Sequence, residues 1–316
     1  MTNIHHTEHD IAIDAPVAAV YRLLSEVAAW PQYFRPTIHT EVLERTDDTE
    51  RIRIWALGGD AVKVWTSRRR LDPRQATIEF FQEITQPPAE SVRGKWHLHA
   101  ERKHTRVVFT HDYTVIDDNP QDTAWLADVI DHNSSTELAD LKQIAEAAGE
   151  TGQPFTFTDR VVISATAPAV YDFINDAARW PERLPHVAAL RLTEGTPGIQ
   201  HMEMDTHAAD GSVHTTVSIR VCLGDRIVYK QLQTPPVLAA HTGEWSLRDA
   251  GASAVELTSR HTALLDPSKI ADFFGPDTTV EQARDEVRAA LGTNSRTTMQ
   301  HAKQHAERAS RVSASR

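Results

Sequence analysis

The chain has 316 residues, 40% of them hydrophobic, and 33 basic against 44 acidic side chains give it a net charge of −11. An acidic balance argues against nucleic acid as the main partner, no stretch approaches a membrane span, and the lone Cys222 cannot form an internal bridge. The start, Met1 to His6, has neither the basic nor the apolar run of an export signal, so a cytoplasmic protein is expected.

In chain order, a strand is predicted over residues 9–15. A helix over 16–28 follows, with Val20, Tyr21, Leu23, Leu24 and Val27 at helical spacing and Trp30-Pro31 as its stop. Alternating segments over 40–43, 51–56, 61–71, 77–84, 92–99 and 107–115 predict further strands, separated by the turn signals Gly58-Gly59, Asp72-Pro73 and Pro87-Pro88. Consecutive hairpins imply an antiparallel sheet. One long amphipathic helix over 121–148 closes this half, with Leu126, Val129, Ile130, Leu141, Ile144 and Ala148 as its apolar stripe. Gly149, Gly152 and Pro154 mark a linker, a second long helix is predicted over 279–308, and the Ser- and Arg-rich end is expected to fray.

The second half repeats the first. Ala15, Val20, Tyr21, Ala28, Trp30 and Pro31 return 150 residues later as Ala165, Val170, Tyr171, Ala178, Trp180 and Pro181. Further on, Ile78, Phe80 and Gln82 match Ile227, Tyr229 and Gln231. Gly94, Trp96 and Leu98 match Gly243, Trp245 and Leu247; Thr110 and Thr114 match Thr258 and Thr262; Asn133-Ser134 matches Asn294-Ser295. A period this long means a duplicated domain rather than a solenoid. The boundaries fall at 1–150 and 151–316, and each half is large enough to bury most of its unfolded surface unaided.

A bent sheet against one helix leaves a hollow, which is either plugged by side chains or open to a ligand. Strand alternation puts Trp65, Ser67, Arg69 and Leu71 on one face, so with Trp65 and Leu71 inward the Arg69 guanidinium enters an apolar interior. The alternatives are an ion pair, for instance to Glu79 or Glu83, or a solvent-facing arginine. On the long helix Asn133 falls within the apolar stripe, as does Asn294 on the second; a clamp on a strand carbonyl is the structural reading. Glu137 also lies on the stripe, without an evident reason. His111 and Tyr113 are in phase with Val107 and Phe109 and are candidates for a general base and a hydrogen-bond donor, or for the core edge. In the second half Ser218 and Arg220 keep the spacing of Ser67 and Arg69, but Val217, Ile219 and Val221 make the opposite face apolar, which predicts Arg220 toward water. Seventeen histidines suggest metal at first glance, but His97 and His99 alternate onto the face opposite Trp96 and His5, His6 and His9 sit at the start, so these read as solvated.

The run Ala28-Ala29-Trp30-Pro31-Gln32-Tyr33-Phe34, the segment Ile54-Trp55-Ala56-Leu57, the strand Trp65-Thr66-Ser67-Arg68-Arg69, Trp96 and the motif His132-Asn133-Ser134-Ser135-Thr136 resemble the bacterial aromatase/cyclases of type II aromatic polyketide synthases. The duplication resembles their di-domain members and spans nearly the whole chain. The resemblance implies an α+β protein of two tandem helix-grip, START-like domains, with a pocket for a poly-β-ketone carried on an acyl carrier protein. It implies first-ring aldol closure, commonly between carbons seven and twelve, then dehydration, with no metal or organic cofactor and with other synthase subunits as partners. Trp30, Phe34, Trp65 and Trp96 would be walls of the pocket, or ordinary core aromatics, with Trp180 and Trp245 as their second-half counterparts. Arg69 would polarise a ketone oxygen and Ser67 relay protons. Arg68, Arg70, Arg74, Arg93 and Lys95 offer a basic patch for an acidic carrier. The rival expectation is a non-enzymatic binder or carrier of an apolar ligand.

Overall fold

The computed structural model describes residues 3–59, 61–147, 153–207, 211–251 and 253–314. The linker glycines Gly149 and Gly152, and Ala148 of the predicted stripe, lie outside these. The chain separates into two compact units, Met1–Gly149 and Glu150–Arg316.

The first unit runs β1 (His5–Ile13), α1 (Val17–Ser25), α2 (Trp30–Tyr33), β2 (Thr37–Arg45), β3 (Thr49–Gly58), β4 (Ala61–Asp72), β5 (Thr77–Ile84), β6 (Ala89–Glu101), β7 (His104–Val115) and α3 (Pro120–Glu146). Its sheet is antiparallel, in the order β1-β7-β6-β5-β4-β3-β2. The second unit repeats this with β8 (Phe155–Ile163), α4 (Ala167–Asn175), α5 (Trp180–Arg183), β9 (Val187–Thr196), β10 (Ile199–His207), β11 (Val213–Cys222), β12 (Arg226–Gln233), β13 (Leu238–Gly251), β14 (Ala254–Leu265), an added α6 (Ile270–Phe274) and α7 (Val280–Ala314). Its strand order is β8-β14-β13-β12-β11-β10-β9. The expected α+β architecture is present in both units, and no helix among the described residues is long and apolar enough to cross a membrane.

Local chemistry explains where elements start and stop. Pro120 takes the first position of α3, where no donor is needed, while the Asn119 side chain accepts from the amides of Gln121 and Asp122. In α7, Thr279 and Gln282 cap each other reciprocally, each side chain accepting from the other's amide. The single helix predicted over 16–28 is instead two. The backbone leaves helical values at Glu26, and Trp30-Pro31 opens α2 rather than ending α1, since proline is well suited to a first turn. The second long helix runs beyond its predicted end at 308, to Ala314, and the last two residues of the end expected to fray lie outside the described residues.

Strand register corrects one part of the repeat. Gly94 pairs with His111 and Gly243 with His261, and Thr7 faces His111 as Phe157 faces His261, so His261 and not Ala263 or Ser259 is the counterpart of His111. Thr110 and Thr114 therefore do not correspond to Thr258 and Thr262. A slip of two residues preserves strand faces, which is why the threonine match looks in phase.

The paired glycines have a packing reason. A Cβ at Gly94 would overlap both the Thr110 carbonyl oxygen and the Phe80 ring, whereas at Gly243 the three atoms it would approach most closely all belong to the Tyr229 side chain. Side chains can move aside more cheaply than a strand backbone. Gly94→Ala is expected to cost about 3 kcal/mol and Gly243→Ala about 1 kcal/mol, by overpacking. Chemical denaturation of the two variants checks the order, and equal losses would contradict it.

Candidate active site

Between the first sheet and α3 lies a cavity of ≈ 170 Å³. Its walls are mainly apolar, with Trp30, Ile52, Ile54, Trp65, Phe80, Trp96 and Phe109 from the sheet side and Leu126, Val129 and Ile130 from α3. Trp96 stacks on Phe109 with ring centroids 3.4 Å apart. Ser67, Arg69, His111, Asn133 and Glu137 are the polar members of interest.

Alternation along β4 turns Ser67 and Arg69 to the concave side while Arg68 and Arg70 stay exposed outside. Arg69 is 3% exposed, and directly across the ladder from it stands Glu50 of β3. Arg69 Nη1 lies 3.1 Å from Glu50 Oε1, without the alignment of a hydrogen bond. Its Nη2 donates to the Leu24 carbonyl at 2.7 Å, at the negative end of α1. The guanidinium carbon is 4.8 Å from the Trp30 ring centre. Arg45 grips the other Glu50 oxygen, at 3.0 and 2.5 Å, so the three-residue cluster keeps one net positive charge. Burial lowers the Arg69 pKa to about 10, with the Glu50 charge opposing the shift, and the side chain remains a cation at neutral pH.

The expected partners Glu79 and Glu83 are corrected by this geometry. Arg69 faces Phe80 in the ladder, which puts both glutamates on the outer face, where Glu83 holds Arg51 and Arg68 and Glu79 holds Lys95. Glu50 is in phase with Ile52, Ile54 and Ala56, which gives its face, but its place opposite Arg69 follows only from the register of β3 on β4.

Three buried polar atoms in these walls have no hydrogen-bond partner in the protein: Ser67 Oγ, Arg69 Nη1 and His111 Nδ1. Desolvation drives the His111 pKa down to about 3, aided by the nearby His9, so its imidazole is neutral across the physiological range. Its ring packs 4.3 Å from Phe109 and 5.6 Å from Phe80. Asn133 is the carbonyl clamp, its Nδ2 donating to Leu57 at 2.9 Å. Glu137, one helical turn further, also borders the cavity.

Two expected wall residues are not among the lining. Phe34 is 1% exposed and lies in the core, with Trp30 edge-on to it at 5.5 Å. Tyr113 packs with Ala89, Val92, Leu126 and Ile130 and stacks on His5 at 5.2 Å. Each is in phase with the concave face, but the cavity does not extend to its position.

In the second unit Arg220 does not face water. It is 1% exposed, donates to Gln200 Oε1 at 2.8 Å and to the Ile174 carbonyl at 2.6 Å, and lies 5.3 Å from the Trp180 ring. β11 is buried on both faces from Ser218 to Val221, so apolar alternation does not report which face is inward. Gln200 takes the place of Glu50, replacing a carboxylate with a neutral amide. Trp180 and Trp245 belong to the core with Met202, Leu257 and Met299, and Asn294 is half-buried on α7. Where His111 has an open nitrogen, His261 is bonded to Ser259 at 3.1 Å, to Tyr229 at 3.2 Å and to His241 at 3.0 Å, and His241 continues to Gln231 at 2.9 Å. Among the described residues no three His, Cys, Asp or Glu side chains are grouped to hold a metal ion.

A family model described as "Polyketide cyclase / dehydrase and lipid transport" matches residues 13–141 and 163–281. The granaticin polyketide synthase bifunctional cyclase/dehydratase of Streptomyces violaceoruber is 40% identical over 97% of this chain and 95% of its own. The actinorhodin polyketide synthase bifunctional cyclase/dehydratase of Streptomyces coelicolor is 41% identical over 94% of this chain and 96% of its own. Among solved structures, the di-domain ARO/CYC BexL from the BE-7585A biosynthetic pathway superposes with a TM-score of 0.84 at 45% identity, covering 96% of this chain and 99% of that one. The di-domain ARO/CYC StfQ from the steffimycin pathway gives 0.83 at 32% identity, with the same coverage.

Proposed function

The chain belongs to the polyketide cyclase/dehydrase family, and we propose that its first unit folds a poly-β-ketone delivered by an acyl carrier protein, closes the first ring between carbons seven and twelve, and promotes loss of water to an aromatic ring. The observation that carries this reading is a set of buried polar atoms, Ser67 Oγ, His111 Nδ1 and the Arg69 Nη1 that is ion-paired with Glu50, which make no hydrogen bond among the described residues and border an otherwise apolar cavity.

A poly-β-ketone has acidic methylenes between carbonyls, so the difficulty lies in choosing which carbon attacks which ketone. Walls built of Trp30, Trp65 and Trp96 hold one folded conformer, and a near-attack geometry of this kind supplies up to about 7–11 kcal/mol in ideal cases. In the aldol step a methylene loses a proton, the enolate carbon bonds to the ketone carbon, and the ketone oxygen becomes an alkoxide. Arg69 stabilises that developing negative charge, since its proton is held too tightly to be given away. Ser67 and water carry the proton lost by the methylene to that alkoxide, which becomes the new hydroxyl, so the step is proton-neutral overall. In the second unit Arg220 and His261 already spend their polar atoms on other protein groups, which favours the first unit for ring closure and a supporting or aromatising role for the second.

Carrier docking has a candidate surface on the outer face. Arg51, Arg68, Phe81 and Arg93 stand side by side across four strands, and Phe81 is 49% exposed. Arg70 and Lys95 form the adjoining row on either side of Glu79. A basic field around an exposed aromatic suits an acidic carrier, and its affinity should weaken as salt rises.

The test adds the full chain, and each unit alone (1–150 and 151–316), to a minimal polyketide synthase and profiles the products. The first unit should divert shunt products to the correctly closed ring. Ring closure by 151–316 alone would reverse the assignment of the units, and uptake of ligand without any change in products would leave a carrier rather than an enzyme.

A further inference from the structure

Loss of water from the aldol adduct needs a proton for the departing hydroxyl, and the groups named so far supply it poorly. Arg69 stays cationic, His111 is a neutral imidazole, and a serine hydroxyl passes a proton on without being a source of one. Glu137 is different. It projects from α3 into the same cavity as Arg69 and His111, four residues after the Asn133 clamp that ties the helix to β3, and among the described residues nothing hydrogen-bonds or ion-pairs with it. A carboxyl bordering an apolar cavity with no partner is costly unless it is protonated or meets a ligand.

The geometry points to Glu137 as the acid that protonates the departing hydroxyl in the dehydration step, an inference that rests on the cyclase/dehydratase reading above. The hydrogen on the neighbouring carbon leaves as a proton to the His111 imidazole, and its electron pair forms the C=C bond. The C–O bond breaks with its pair on oxygen, and the Glu137 proton completes the water. The imidazolium, disfavoured by its apolar walls, then returns its proton through solvent to the Glu137 carboxylate, restoring both groups.

The electrostatics agree with this role. Burial raises the Glu137 pKa to about 8, and the neighbouring Asp140 charge adds to the shift. Asp140 is itself held by Arg35 at 2.7 Å, and the other ionisable groups of the cavity walls are Arg69, Lys63 and His111. At neutral pH Glu137 is therefore a neutral acid facing the substrate space. Because its folded pKa lies above the ordinary carboxyl value, the stability it confers is complete at pH 4 and is lost as pH rises toward 8.

The full-length protein with a minimal synthase tests this. Glu137→Gln should raise the ratio of cyclised, hydroxyl-bearing product to aromatic product by about 10²-fold, the usual worth of a positioned acid, and Glu137→Asp should recover part of the loss. The wild-type preference for aromatic product should fall above pH 8, and that dependence should vanish in Glu137→Gln. Infrared difference spectra between the two proteins at pH 7 should show a protonated carboxylic C=O band. Wild-type aromatisation by Glu137→Gln, or an ionised carboxylate at pH 7, overturns the assignment. Absence of ring closure by the wild type would defeat the cyclase reading and this step with it, while the infrared band would still stand.

Discussion

Arg69→Ala should lower yield of the correctly closed ring by about 10²–10³-fold, the loss seen when one oxyanion-stabilising donor is removed, and replace it with shunt products. The reason is placement. The guanidinium is anchored by the Leu24 carbonyl and the Trp30 ring, while Nη1 remains without a hydrogen bond. A charge already oriented in a low-dielectric cavity needs no reorganisation when the alkoxide forms. Arg69→Lys keeps a positive charge but loses the planar fork, so it should fall between wild type and alanine. Arg69→Ala also takes the ion-pair partner from buried Glu50 Oε1 and leaves the Leu24 carbonyl unmet, a stability loss of about 3 kcal/mol that is held to the low end for a broken buried pair because Glu50 retains Arg45. Product profiles from the reconstituted synthase, with thermal melts as control, decide the matter; an unchanged profile in Arg69→Ala would remove Arg69 from the chemistry.

The equivalent substitution in the second unit should cost stability without redirecting ring closure. Arg220 spends its donors on Gln200, Ile174 and Asn175. Arg220→Ala leaves those neutral acceptors buried and empties a large volume, a loss of about 3–5 kcal/mol. In a unit of this size that lowers its melting temperature by roughly 10 °C. Arg220→Met should restore much of the stability, since an apolar chain of similar volume avoids burying a charge. Folded Arg220→Met should still direct first-ring closure. Calorimetry paired with product profiling checks both halves of the statement, and a stable Arg220→Ala protein with scrambled products would show that the second arginine is chemical after all.

Much of the candidate site was legible because strand alternation is a strictly local rule. It turned Ser67 and Arg69 inward and Arg68 and Arg70 outward, as the structure has them. The 3.6-residue stripe of the long helix carried Asn133 and Glu137 to the cavity in the same way. The cross-strand partner was not legible. Glu50, Glu79 and Glu83 are all glutamates on neighbouring strands, and only the register of two hairpins selects the first for Arg69. Phe34 and Tyr113 failed for a related reason, since pointing inward does not say how far the hollow reaches.

By itself the sequence determined the duplication, the succession of strands and helices in each half, the inward face of β4, and the resemblance that names the family, because each depends on residues near one another in the chain or on a repeated pattern. Only the tertiary structure decided that Arg69 is paired with Glu50, that β11 is buried on both faces and Arg220 with it, and that Glu137 borders the same cavity as Arg69 and His111. Those outcomes depend on which distant segments pack together. The free energy of a buried charge is set by those neighbours, not by its place in the chain.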